Sequence, residues 1–242
     1  MRAPRTPTLL SCLAVLGTSL ACTLSSTAPP APAPQPVGLW PPSALQRDCL
    51  GWPARDFARN RHAEVSARIG PGDRAVDFTL TDTSGEAVHL ADLLADAPVL
   101  LVQGSWTCPR FQAERAGLEQ TAKRFRNDLH VVIVCSVEAH PAGKDPGPYK
   151  GRPDPREFSD RGQPDTYAER LRNARDIARD TTIPVLVDGL DGDGANPVWC
   201  TYGTCPSCSW LIRRDGTVEA QHTWHDRPSM EASVAALLAR GG

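Results

Sequence analysis

The sequence predicts an α/β fold in which a central mixed sheet is flanked by helices and preceded by a β-hairpin. Residues 99–102 and 131–134 are short, almost wholly apolar runs, which is typical of strands buried on both faces. Between residues 76 and 238, strand-like segments alternate with segments of helical period. This alternation favours one sheet covered by helices over a helical bundle or an all-β sandwich.

Each element follows from a local pattern. Residues 76–80 and 87–90 form the hairpin, because the turn residues Ser84 and Gly85 separate two short strand-like segments. Pro109 suits the first position of a helix, because its missing N–H would go unused there. The other predicted elements are strand 99–102, helix 109–126, strand 130–137, helix 166–179, strand 184–187, a hairpin across 214–216 and helix 228–238.

The N-terminal part of the 242-residue chain predicts export. Arg2 and Arg5 precede an apolar run, and Ser19 and Ala21 are small residues at the spacing that a signal peptidase accepts. Cleavage after residue 21 would place Cys22 first, as the lipidation site of a membrane-anchored lipoprotein that faces the periplasm or the cell exterior; secretion without an anchor is the alternative. We therefore expect a signal peptide at 1–21, a Pro/Ala-rich tether at 22–43, a helical extension at 44–68 and a domain at 69–242 with an insertion at 141–165.

The loop before the second predicted helix presents a cysteine. The strand ends in Gly104-Ser105-Trp106-Thr107, and Cys108 follows immediately before Pro109. The N-terminal N–H groups and dipole of a helix favour a thiolate, so this placement predicts a reactive, partly exposed sulfur with a lowered pKa. A half-buried cysteine at the end of a strand is the alternative.

A second loop joins the first at the same edge of the predicted sheet. Strand 130–137 delivers Glu138-Ala139-His140-Pro141 at its carboxyl end, where open α/β sheets place their sites. The loop at 104–111 together with this segment resembles the iodothyronine deiodinases and their bacterial deiodinase-like relatives, a thioredoxin-fold group. Asp188, Asp191 and Tyr202-Gly203 extend the resemblance, which covers about residues 69–238.

The resemblance implies a thioredoxin-like fold and a set of site residues. Cys108, Glu138 and His140 carry over as catalytic residues, with His140 as a proton donor near Cys108 and Glu138 as its orienting partner. Trp106 stands at the position that we assign to the family nucleophile, and indole cannot attack iodine or a disulfide. Reductive deiodination therefore does not follow for this chain.

Six cysteines remain once Cys12 leaves with the leader and Cys22 is lipidated, and an even number in an exported chain suggests disulfides. Cys205-Pro206-Ser207-Cys208 precedes a predicted strand, where the thioredoxin fold usually has a cis-proline; if Pro206 is that proline, Cys205 lies close to Cys108. Three alternatives stay open for this cluster. Cys205 or Cys208 resolves Cys108 in a redox centre, or Cys200, Cys205 and Cys208 form structural disulfides, or Cys108, Cys205, Cys208 and His140 hold a metal.

The function that the sequence favours is that of an exported thiol oxidoreductase. Cys108 would reduce a disulfide, a peroxide or a similar group, and the substrate would be a small molecule or a protein. No cofactor and no metal are expected. A non-catalytic binding or scaffold domain is the alternative, and a reductive deiodinase or dehalogenase is the third. The formal net charge of −2 and the lack of a basic cluster exclude nucleic-acid binding. The membrane would be reached only through the lipid anchor.

Overall fold

A seven-stranded mixed sheet forms the centre of the computed structural model, which describes residues 38–45, 66–142, 161–190 and 196–241. The chain divides into a first unit, Met1–Ala33, which lies outside the described residues, and a second unit, Pro34–Gly242, which holds everything below. The predicted leader and Cys22 also lie outside the described residues, as do most of the predicted extension and insertion.

The element bounds are close to those predicted. The strands are β1 (Ser66–Ala67), β2 (Thr79–Asp82), β3 (Ala87–His89), β4 (Val99–Gly104), β5 (His130–Cys135), β6 (Val185–Val187), β7 (Gly203–Thr204), β8 (Ser209–Ile212) and β9 (Val218–His222). The α-helices are α1 (Leu90–Asp96), α2 (Pro109–Arg124), α3 (Tyr167–Ala178), α4 (Pro197–Tyr202) and α5 (Arg227–Ala239). A single 3₁₀ turn, Pro42–Ala44, precedes them in the described part of the chain.

The sheet has the order β3-β2-β6-β5-β4-β8-β9, and β1 pairs separately with β7. Strands β4, β5 and β6 run parallel to one another, while β2 and β8 pair antiparallel on either side of them. The predicted mixed sheet and N-terminal hairpin are therefore confirmed. The parallel strands carry the loops after β4 and β5 to the same edge, as the site prediction requires.

Helices cover both faces of this sheet and enclose two apolar clusters. The first cluster lies under α2, α3 and α5 and includes Cys108, Phe111 and Cys135. The second lies under α1 and α4 and includes Cys205, Cys208 and Trp210. Alternation along the strands sends neighbouring residues to opposite clusters, so β4 contributes Leu100 and Val102 to the first and Leu101 to the second.

Local chemistry sets the helix ends next to the site. Thr166 and Glu169 form a reciprocal capping box at the start of α3. A Cβ on Gly104, the last residue of β4, would lie 2.6 Å from Phe111 Cζ, so glycine is what lets α2 pack against this strand end. Within the described residues, no helix is both long enough and apolar enough to cross a membrane.

Candidate functional site

Cys108 is the N-cap residue of α2. Its Sγ accepts a hydrogen bond from the backbone N–H of Phe111 at 3.5 Å, and Pro109 begins the helix. The predicted placement of the sulfur at a helix N-terminus is therefore confirmed, but the predicted exposure and low pKa are wrong. Cys108 is only 2% exposed, and burial raises the pKa of its thiol to about 11 despite the N–H donors of Phe111 and Arg110.

Glu138 is buried after β5 and binds the loop that precedes Cys108. Its Oε2 accepts hydrogen bonds from Ser105 Oγ, Thr107 N and Thr107 Oγ1, each at 2.8 Å. Its Oε1 accepts a hydrogen bond from Asn173 Nδ2 at 2.7 Å. The carboxylate thus holds both residues that flank Trp106 and joins them to α3.

His140 reaches the same loop through its backbone. Its N–H donates to Thr107 Oγ1 at 3.0 Å, and the N–H of Ala139 donates to Ser105 Oγ at 3.0 Å. The two loops predicted to form the site therefore do meet. The role of His140 as a proton donor to Cys108 stays a prediction. So does the role of Glu138 as its orienting partner, since the carboxylate contacts given above go to Ser105, Thr107 and Asn173.

Trp106 lies between the residues that Glu138 holds and packs against the cluster that contains Cys108. The guanidinium of Arg161 lies over its ring, 4.6 Å from the ring centroid. Arg161 in turn donates to Asn173 Oδ1 at 2.9 Å and forms an ion pair with Asp176. An arginine anchored on α3 therefore covers the indole, a favourable cation–π arrangement.

A polar cleft of about 510 Å³ adjoins this network. Gln163 and Asn173 form part of its wall, and both also hydrogen-bond to Glu138. Gln163 bonds the backbone N–H and carbonyl of Glu138, and Asn173 bonds its carboxylate. The other lining residues are Arg161, Gly162, Pro164, Asp165, Glu169, Arg172 and Asp176. The cleft is therefore linked through one buried carboxylate to the loop before Cys108.

Asp188, which the resemblance singled out, is a structural residue. Its side chain accepts the N–H groups of Val198 at 3.0 Å and Trp199 at 2.9 Å, at the start of α4. Burial raises the pKa of Asp188, while the nearby guanidinium of Arg170 opposes this shift. Asp191 lies outside the described residues.

Cys205 and Cys208 form a disulfide with a Cα–Cα distance of 5.5 Å, and Cys200 is also disulfide-bonded. In the disulfide their sulfurs are not thiolate ligands, which argues against the metal alternative built on Cys108, Cys205, Cys208 and His140. Among the described residues, no group of three or more His, Cys, Asp or Glu side chains has the arrangement of a metal site. Cys205 and Cys208 pack in the second cluster and Cys108 in the first.

The prediction that Pro206 forms a cis peptide is wrong, since every described peptide bond is trans. The physical reason is local. Pro206 and Ser207 form the turn between the two bonded cysteines, and a trans proline supplies the backbone angle of the first central position of such a turn.

His225 is fully buried, although it lies in a polar stretch of the sequence at 221–226. Its Nδ1 lies 3.0 Å from Ser209 Oγ, and its backbone N–H donates to the carbonyl of Ser207 at 2.7 Å. Burial lowers the pKa of His225 to about 4, so the ring is neutral at pH 7. Its carbonyl also accepts a hydrogen bond from Arg110 on α2 at 3.1 Å, a contact between distant segments that no local pattern predicts.

Known proteins resemble this chain in fold. No protein-family model and no curated protein matches it. A hypothetical protein from Sinorhizobium meliloti 1021 superposes with a TM-score of 0.52 and 21% identity over 71% of this chain and 86% of that one. An uncharacterized conserved protein from Geobacillus kaustophilus superposes with a TM-score of 0.52 and 18% identity over 72% and 85%.

A third solved structure, titled a putative thiol:disulfide interchange protein DsbE from Chlorobium tepidum, superposes with a TM-score of 0.49 and 20% identity over 70% of this chain and 99% of that one. The fold of the chain is thioredoxin-like, as predicted. The resemblance to the deiodinases stays a prediction.

Proposed function

We propose that this thioredoxin-fold chain is a thiol oxidoreductase in which Cys108 is the reacting thiol. The observation that carries the proposal is the position of its sulfur at the N-cap of α2, after the parallel strand β4, with Phe111 N–H donating to it. In this fold class, the carboxyl edge of the parallel strands is where ligands bind. Glu138 fixes the preceding loop, so the sulfur is held at that edge.

In this proposal the state with a buried Cys108 is a closed conformation. Burial keeps Cys108 as a neutral thiol, because desolvation outweighs the helix N–H groups and the charge of Arg110. Movement of Trp106 away from the first cluster would admit substrate and water to the sulfur. The desolvation penalty would then fall while the N–H donors of the helix stay in place, and the thiolate would become accessible near neutral pH.

In the open conformation the reaction is a thiol–disulfide exchange. The Cys108 thiolate attacks one sulfur of a substrate disulfide, forms a mixed disulfide and releases the other sulfur as a thiolate, which takes a proton from His140 in this proposal. One thiolate of an external dithiol attacks the substrate sulfur of the mixed disulfide and frees Cys108. The second thiolate of the dithiol then displaces that substrate sulfur, so the substrate leaves as a thiol and the dithiol leaves as a disulfide. Cys205 and Cys208 are bonded to each other and pack in the other cluster, so they are not assigned as the resolving thiols.

A non-catalytic binding or scaffold domain is the second candidate. The buried Cys108 thiol favours it, since a thiol with a pKa of about 11 is almost wholly protonated at neutral pH. Deiodinase chemistry ranks third, since it rests on the resemblance alone. Export, lipidation at Cys22 and a thiol or disulfide substrate belong to the proposal as well.

The test is the rate of exchange with a chromogenic aromatic disulfide, measured for wild type, Cys108→Ser and Cys135→Ser. Cys135 is the matched control, since it is the other free cysteine among the described residues and is also buried. We expect Cys108→Ser to abolish exchange and Cys135→Ser to preserve it. Exchange that survives in Cys108→Ser contradicts the proposal, and a wild type and Trp106→Ala variant that are both inert support the non-catalytic candidate.

A further inference from the structure

Gln103 is a fully buried amide on β4 for which neither side-chain polar atom has a hydrogen-bond partner. Leaving a buried donor or acceptor unpaired costs about 1–3 kcal/mol, so such a residue calls for a physical explanation. Its position in the sheet supplies one. The backbone N–H of Gln103 donates to the carbonyl of Cys208 at 2.9 Å, which extends the β4–β8 ladder by one residue pair.

The side chains of Gln103 and Cys208 lie on the same face of the sheet. Leu101 on β4 and Trp210 on β8 are paired and belong to the second cluster. Gln103 lies two positions after Leu101, and Cys208 lies two positions before Trp210, immediately ahead of β8. Directly opposed residues of an antiparallel pair have Cβ atoms about 4.5–5.5 Å apart. The unpaired amide therefore neighbours the Cys205–Cys208 disulfide.

Cys208 also has a hydrogen-bond acceptor beside it. Its Sγ lies 3.1 Å from the carbonyl oxygen of Thr223. A disulfide sulfur carries no hydrogen and cannot donate to that oxygen, whereas a Cys208 thiol can. The Ser207 hydroxyl, in the turn that the disulfide closes, is likewise buried without a partner.

The surroundings of Cys208 thus fit a thiol better than a disulfide sulfur. In the reduced state the S–H would donate to Thr223 O, and the sulfur would accept from the Nε2 of Gln103. In the oxidised state the first bond cannot form, and Gln103 is unpaired. Groups that stabilise the reduced form of a cysteine pair make its disulfide easier to reduce.

We propose that Cys205–Cys208 is a redox-active disulfide, separate from Cys108, and that Gln103 and Thr223 stabilise its reduced form. Its substrate class is a dithiol, which it oxidises. One substrate thiolate attacks Cys205 Sγ and breaks the S–S bond, and Cys208 leaves and takes up a proton. The second substrate thiolate attacks the resulting mixed disulfide and releases Cys205, so the substrate becomes a disulfide and the pair gains two electrons and two protons.

Both cysteines of the pair are buried, so exchange requires the Pro206–Ser207 turn to open toward the substrate. A small dithiol is the appropriate probe for that reason. The proposal requires the pair to be reduced while the protein stays folded. A structural disulfide, by contrast, stays oxidised in the folded protein at moderate concentrations of reductant.

The experiment is an equilibrium titration of the folded protein with reduced and oxidised dithiothreitol, with the redox state of Cys205 and Cys208 read by alkylation and mass spectrometry. All variants carry Cys108→Ser, so that no exchange through Cys108 contributes. Gln103→Leu removes the amide. Gln221→Leu is the matched control. The Nε2 of Gln221 is also buried and unpaired, but Gln221 lies on β9 and pairs with Trp210 of β8 rather than with Cys208.

We expect the Cys108→Ser parent to reach a measurable redox equilibrium while it stays folded. Gln103→Leu should lower the equilibrium constant for reduction about fivefold, which corresponds to the free energy of one hydrogen bond. Gln221→Leu should leave the constant unchanged. Gln103→Met repeats the test with a side chain of similar length if the leucine variant does not fold. A pair that is reduced only on unfolding overturns the proposal, as does an equal constant in the Gln103 and Gln221 variants.

Discussion

The guanidinium of Arg161 lies 4.6 Å from the centroid of the Trp106 indole. Arg161 is held by Asn173 and Asp176, and Asn173 also bonds the carboxylate of Glu138. One side of α3 thus fixes both the loop that contains Trp106 and the cation that covers its ring. Trp106 packs on the cluster that contains Cys108, and in the proposed mechanism this network limits access to the sulfur.

Opening that cover should expose the thiol. We expect Trp106→Ala to increase the rate of iodoacetamide alkylation of Cys108 at pH 7.5 by about tenfold or more, because it removes the apolar cover that desolvates the sulfur. Trp224→Ala is the control, since Trp224 is 43% exposed and lies outside this network. Equal rates in both variants would show that Trp106 does not cover the sulfur.

The wild-type thiol should be slow to react and should gain reactivity steeply with pH. With a pKa raised to about 11 by burial, Cys108 should react on the order of a hundredfold more slowly than free cysteine at pH 7.5. Burial also raises the pKa of Cys135, so both thiols should speed up as the pH rises past 9. A Cys108 rate that reaches its plateau below pH 8 would contradict this burial effect.

Glu138→Gln should destabilise the protein. The replacement puts an NH₂ group where one carboxylate oxygen now accepts a hydrogen bond, either from Asn173 or from Ser105 and Thr107. We expect a loss of about 1–3 kcal/mol in the free energy of unfolding, measured by urea denaturation. Glu86→Gln, at an exposed position, should change it by no more than about 0.5 kcal/mol.

His225 should make the protein sensitive to mild acid. Its pKa is lowered to about 4 in the folded state, so below about pH 6.5 the unfolded chain binds a proton that the folded chain does not. Stability is therefore complete above pH 6.5 and declines as the pH falls toward 4, by about 2–3 kcal/mol at pH 4.5.

His225→Asn should remove most of that decline between pH 7 and 4.5 in urea unfolding measured at each pH. His222→Asn is the comparison variant, since the pKa of the half-buried His222 is also lowered, with less burial to cause it. A pH dependence of stability that is the same in His225→Asn and wild type would count against a neutral buried ring.

The sequence predicted those parts of the fold that depend on local patterns. Apolar runs identified β4 and β5, and the helical pattern from residue 166 placed the start of α3 within one residue. Helix α4 was not predicted, because Asp188, a residue distant in sequence, bonds its first N–H groups. Helix α1 begins directly after β3 and carries no capping signal, because its N-cap residue His89 makes no side-chain hydrogen bond to the helix.

The same limit applied to the site. Motifs brought Cys108 and Glu138 to one edge of the sheet, since the position of a strand end follows from strand order. They did not predict the burial of Cys108 or His225, since burial depends on which distant side chains close over a residue. Arg161 and Asn173 carry no motif, and their role emerges only from their contacts with Trp106 and Glu138.

The placement of the two apolar clusters on opposite faces of the sheet has a consequence for how the chain acquires its disulfides. Once β4, β5 and β8 have paired, a layer of backbone separates Cys108 and Cys135 from Cys205 and Cys208. A non-native disulfide between the two groups of cysteines then requires these strands to separate. We therefore expect oxidative refolding to reach the native Cys205–Cys208 bond without scrambling when strand pairing precedes oxidation, and to give mixtures when oxidant is added to the unfolded chain.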